Sequence, residues 1–140
     1  MRKSIVQEVN AAGFFSVLCD GTTDCSIKEQ MCLVLRYVKD ENIQGVFLGF
    51  KELMDTTGEG IARKLIETLK GYGIDLLKMR GQGYDGCASM KGHISGVQAH
   101  VIKEYPQAVY MHCASHVLNL VVAHASKVQD VTNCIGTIKE

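Results

Sequence analysis

The sequence predicts an α/β domain built on a mixed sheet, and three observations carry the prediction. The almost continuously apolar run at 14–19 ends at Asp20 and has the composition of a strand buried in a sheet. Two more strand patterns follow across short polar turns, which makes an antiparallel meander. A strongly amphipathic helix then leads to a further apolar run at 74–79, and a crossover of that length returns a strand parallel to the first.

In chain order, Ile5, Val6 and Val9 lie at helical spacing in residues 1–12, with Gly13 as the stop. The 14–19 run is the central strand, covered on both faces, and Asp20-Gly21 ends it. Residues 30–38 place Met31, Leu33, Leu35 and Tyr37 on one face of a second strand. A turn at 39–42 leads to a third strand at 43–53, where Gly45 and Gly49 mark a bulge or an edge. Thr56 and Glu59 have the spacing of a capping box, and Ile61, Leu65 and Leu69 form the buried stripe of the helix that follows, which Gly71 or Gly73 closes. After the fourth strand come a helical start at 87–90, a helix at 95–104 that Pro106 ends, a fifth strand at 108–113 and a helix at 115–125. Val128, Val131, Ile135 and Ile138 continue the helical spacing without a stop signal, so the chain is expected to belong to a larger protein.

The balance of charge narrows the function. Fifteen basic and fifteen acidic residues in 140 cancel, so any DNA contact would be local rather than driven by bulk electrostatics. No apolar run approaches the roughly 18–20 residues of a membrane span, and the N-terminus lacks the apolar segment of a signal peptide. The six cysteines are irregularly spaced and several fall inside apolar patterns, which favours a reducing intracellular compartment.

Two features could carry chemistry. Asp20 and Asp85 each follow a strand and meet at one sheet edge if those strands are parallel neighbours. With Asp24 nearby, they are hard oxygen ligands suited to Mg²⁺ or Mn²⁺ in phosphoryl transfer. The same acids also suit turns, where Asp is common. The glycine-rich stretch Gly81-Gln82-Gly83-Tyr84-Asp85-Gly86 lets the backbone turn out of the fourth strand and expose its carboxylate. It lacks the Lys-Ser/Thr pair of a phosphate loop. His112-Cys113-Ala114-Ser115-His116 gathers three soft or borderline ligands, but zinc needs about four and no second cluster is present. Cys113 and His116 are expected to pack beneath the sheet, and a Cys-His nucleophile lacks an orienting third group.

The ordered set Leu18-Cys19-Asp20-Gly21-Thr22-Thr23-Asp24, Lys28-Glu29-Gln30, Gly81 to Gly86 and His112-Cys113-Ala114-Ser115-His116-Val117-Leu118-Asn119-Leu120 resembles hAT-superfamily transposases. It is most similar to the branch of zinc-finger MYM-type and TTF-type proteins. The resemblance implies an RNase H-like fold and a DDE triad in which Asp20 and Asp85 are the first two acids and ligate Mg²⁺ or Mn²⁺. Cys113 and His116 fall on the CxxH motif of that family, which is structural rather than one of the catalytic acids. The third acid, a Glu, lies downstream of an insertion domain that this chain lacks, and Glu140 does not match it. Residues 1–140 then correspond to the N-terminal part of a truncated core, without the insertion and dimerisation regions, and no catalysis is expected of that part alone. The complete protein is expected to be nuclear, to act on DNA and to form homo-oligomers through regions outside this chain. A domesticated, non-catalytic DNA-associated or protein-interaction module is the alternative.

Overall fold

In the computed structural model the described residues are 2–23 and 29–125. A first helix, α1 (Arg2–Ala11), leads into the meander β1 (Phe15–Thr23), β2 (Glu29–Lys39) and β3 (Asn42–Glu52). Helix α2 (Gly58–Gly71) and a 3₁₀ turn (Leu76–Lys78) cross to β4 (Met79–Tyr84). Two short helices, α3 (Ala88–Lys91) and α4 (Val97–Glu104), precede β5 (Val109–His112) and α5 (Ala114–Ala125). The five strands form one sheet in the order β3-β2-β1-β4-β5. β1 is antiparallel to β2 and parallel to β4, and β5 is parallel to β4. This is the α/β mixed sheet with flanking helices expected of an RNase H-like domain.

Alternation along the strands decides which side is core. Phe15, Val17 and Cys19 of β1, and Met31, Leu33, Leu35 and Tyr37 of β2, are buried on one face. The stripe Ile61, Leu65 and Leu69 of α2 meets that face, together with Val9 of α1 and Val97 and Val101 of α4. The opposite face departs from the expectation of a central strand covered on both sides. There Leu18, Val38, Ile43, Phe47, Phe50, Val109 and Met111 are exposed, and none of the described residues of α5 is buried.

The fourth strand also lies later than the apolar run at 74–79 predicted. Asp75 Oδ1 accepts the Leu77 N–H at 3.1 Å and turns residues 76–78 into a 3₁₀ helix, so the ladder begins at Met79 and contains the glycine-rich stretch. A Cβ at Gly81 or Gly83 would lie 2.5 Å from Ser16 Oγ or Leu18 Cδ2 respectively. The glycines thus make room for the side chains of β1 rather than forming a turn. The α2 cap moves by one residue as well. Thr57, not Thr56, accepts the Gly60 N–H at 3.1 Å, and Asp55 Oδ1 holds both the N–H and the hydroxyl of Thr57, so no capping box with Glu59 forms. In β3 the expected bulge is present, where the register shifts opposite Leu33 and Val34 and Gly49 adopts φ of +134°.

Helix α1 is tied to the sheet through Glu8. Its Oε2 accepts the Tyr37 hydroxyl at 3.0 Å and lies 3.1 Å from Lys39 Nζ. Hydrogen bonding to Lys39, then to Tyr37, holds the Glu8 carboxyl below its ordinary value. A lowered folded-state pKa gives stability that is present above the unfolded value of 4.5 and is lost as pH falls through the folded value. Glu8→Gln is therefore expected to flatten the decline in stability below about pH 4.5, measured as urea midpoints across pH. An unchanged acid slope would contradict this role.

Candidate functional site

β1 and β4 bring the two predicted acids together. Their ladder pairs Val17 with Gln82 and Leu18 with Gly83, and two residues further along both parallel strands stand Asp20 and Asp85. Neighbouring strands are about 4.8 Å apart, so the two backbone positions lie level, with Asp20 in β1 and Asp85 one residue beyond β4. Asp20 lies within β1, opposite Cys32 of β2, rather than at the strand end that the Asp20-Gly21 pair predicted. It shares the uncovered face with Ser16 and Leu18 and is itself exposed. Asp24 falls outside the described residues.

The buried Cys19 thiol reports the same convergence from below. Burial pushes its pKa up first, followed by the charges of Asp20, Cys32 and Asp85. Tyr84 is fully buried, and its hydroxyl has no hydrogen-bond partner among the described residues. Burial pushes that phenol well above its usual pKa, with smaller contributions from Cys19 and Tyr110.

Asp85 occupies an ordered turn. Its Oδ1 accepts the Cys87 N–H at 3.2 Å, an Asx turn, and its backbone carbonyl accepts the Tyr110 hydroxyl at 3.3 Å. The next residue, Gly86, faces β5, where an added Cβ would lie 2.6 Å from His112 Nε2 and 3.5 Å from His116 Cδ2. The His112 and His116 rings stack with centroids 5.9 Å apart. Cys113 donates its backbone N–H to the Tyr84 carbonyl at 2.9 Å and so continues the β4–β5 pairing.

These positions revise the reading of the His-Cys-His segment. His116 does not pack beneath the sheet with Cys113; it lies against His112 beside the Gly86 turn, at the start of a helix with no buried residue. Among the described residues no group of three or more His, Cys, Asp or Glu side chains could hold a metal ion. Cys19, Cys32, Cys87 and Cys113 are free thiols, of which Cys19 alone is buried. Tyr110 and the orientation of His112 escaped the sequence reading. Their alternate spacing on β5 is the signal that would place both beside Asp85, once β5 is known to pair with β4.

The donor set at Asp20 and Asp85 fits a hard divalent cation. Mg²⁺ is usually bound through one or two carboxylates together with waters and substrate phosphates, a donor class to which these two acids belong. A groove of about 380 Å³ runs over the bare β4 backbone from Ser16, Leu18 and Arg36 to His112 and Ser115, on the face where Asp20 emerges. No helix among the described residues is long and apolar enough to cross a membrane.

Comparison with known proteins agrees with this architecture. The chain is 30% identical over 142 residues to a Mus musculus protein named 52 kDa repressor of the inhibitor of the protein kinase, covering 100% of this chain and 19% of that protein. The Homo sapiens protein of the same name is 28% identical over 142 residues, with 18% of its length covered. The chain thus spans about a fifth of the length of these curated relatives. Residues 1–96 match the DUF4371 family, described as the ZMYM1/FAM200 RNase-like domain. With most of its length matched, the chain belongs to the ZMYM1/FAM200 RNase-like domain family.

Proposed function

We propose that this domain carries two of the three acids of a hAT-type DDE transposase site, Asp20 and Asp85, and that the complete protein acts on DNA in the nucleus. The observation that supports the reading is the parallel register of β1 and β4, which pairs Leu18 with Gly83, two residues before Asp20 and Asp85. Catalytic groups in RNase-like sheets need such rigid placement, and strand ends provide it more firmly than free loops. Mg²⁺ or Mn²⁺ held by Asp20 and Asp85 would supply charge stabilisation at the phosphoryl oxygens of a phosphodiester.

The protein's own part is orientation and recognition. Asp85 is fixed through the Cys87 N–H, and Asp20 is fixed by its place in the β1 ladder. With zero net charge over the chain, DNA affinity has to come from local groups or from parts of the protein outside this domain. Homo-oligomers in the complete protein would likewise form through such outside regions.

A second reading has its own support. No third carboxylate joins Asp20 and Asp85 among the described residues, and the named relatives carry the name of a repressor. On that reading the fold persists as a DNA-associated or protein-interaction module.

Cleavage of supercoiled DNA by the full-length protein separates the two. The transposase reading expects nicking that requires Mg²⁺ or Mn²⁺ and falls to background with Asp20→Asn or Asp85→Asn. Full-length protein that binds its partner equally well with both aspartates replaced, and nicks nothing, would establish the non-catalytic module.

A further inference from the structure

The carboxylate of Asp85 leaves a turn that β5 holds at two points. Tyr110 donates its hydroxyl to the Asp85 backbone carbonyl, and two residues along the same strand His112 lays its imidazole against Gly86. Residues two apart on a strand share a face, so one edge of β5 reaches the turn with both side chains. His116, from the first turns of α5, stacks on His112 beside the same turn.

Gly86 is what permits the second contact. A methyl group there would collide with His112 Nε2 and approach His116 Cδ2, so any larger residue would force the imidazole away from the turn. Tyr110 is half-buried with its ring 6.0 Å from that of Tyr84, and burial, followed by the neighbouring Asp85, Cys87 and Cys113, raises its pKa. The two tyrosines differ, because among the described residues the Tyr84 hydroxyl has no partner while that of Tyr110 holds the chain at Asp85.

We propose that Tyr110 and His112 are positioning residues for Asp85: they brace the Asp85-Gly86-Cys87 turn so that the carboxylate keeps its hydrogen bond to the Cys87 N–H and faces Asp20. The proposal rests on the metal-site reading above for its consequence, but the brace itself is a property of the metal-free domain. Groups that orient a metal-binding side chain through its backbone or second oxygen commonly change metal affinity by about 10-fold to 100-fold when removed. β5 then has a task beyond completing the sheet: it couples the His-Cys-His segment to the carboxylate pair without ligating anything.

Two measurements on the same variants test this. Amide hydrogen exchange at Cys87 in metal-free protein reads the brace directly, and Mn²⁺ titration reads its consequence. Tyr110→Phe is expected to speed Cys87 exchange by about threefold to tenfold, the size of one lost hydrogen bond. It should also weaken Mn²⁺ binding by about tenfold while leaving the urea midpoint within the range of a surface change. Gly86→Ala, which displaces His112, should act in the same direction, and Tyr84→Phe, which removes an unpartnered hydroxyl, should leave Cys87 exchange unchanged. Wild-type exchange at Cys87 in both Tyr110→Phe and Gly86→Ala would overturn the brace, as would faster exchange spread evenly over the whole sheet. Brace-dependent exchange in a wild-type protein that binds no Mn²⁺ would keep the brace and remove the metal-site reading instead.

Discussion

Gly58→Ala is expected to destabilise the domain by about 2 kcal/mol or more, a large effect for a single added methyl group. Gly58 opens α2 and is buried where that helix meets the start of α4. A Cβ there would overlap the Ser95 carbonyl oxygen and come within 2.9 Å of two backbone carbons of Gly96. Backbone cannot rotate aside as a side chain can, so either α2 or the loop before α4 must shift. That shift would disturb the Thr57 cap and the packing of Ile61 and Leu65 against the sheet. Gly71, at the other end of the same helix, has open space around the position of its missing Cβ. Gly71→Ala should be stabilising by about 0.5–1 kcal/mol, through helix propensity alone. Urea unfolding of the two variants is the check, and similar midpoints for both would contradict the close approach of α2 and α4.

The sequence made the meander, the crossover and the parallel return legible because each rests on a strong periodic signal. Met31, Leu33, Leu35 and Tyr37 alternate without a break, and all four are buried. Ile61, Leu65 and Leu69 keep one helical face, and all three are buried as well. The exact place of β4 was not legible. Isoleucine and leucine at 74–77 look more like a strand than Gly81 and Gly83 do, and only the presence of Ser16 and Leu18 beside those glycines explains why the ladder runs through them. Such a preference is set by tertiary neighbours more than 60 positions away and leaves no local trace.

The carboxylate pair was readable for a related reason. Asp20 follows an apolar run and Asp85 follows the glycine-rich β4, and the parallel register of β1 and β4 brings the two positions level. Their surroundings were not readable, since Tyr110 reaches Asp85 across 25 residues and the role of His112 depends on the missing side chain of Gly86. His112, Cys113 and His116 looked like a ligand cluster because they are close in sequence. A strand end followed by a helix instead sends Cys113 into the β4–β5 ladder through its backbone and pairs the two imidazoles with each other. The final helical pattern at 128–138 lies outside the described residues.

The largest functional effect is expected at the two aspartates themselves. If Asp20 and Asp85 face one another, they form one cation site and not two weak ones, because a lone carboxylate in water holds a divalent ion poorly. Removing either should then remove binding at both. Paramagnetic broadening by Mn²⁺ in amide NMR spectra tests this most directly. The account predicts that Gly21 and Gly86 signals fade together at low Mn²⁺, and that Asp20→Asn alone, or Asp85→Asn alone, restores both. Broadening of Gly86 that persists in Asp20→Asn, or broadening centred on Asp40 or Asp55 with none at Gly21 and Gly86, would contradict a site shared by Asp20 of β1 and Asp85 just beyond β4.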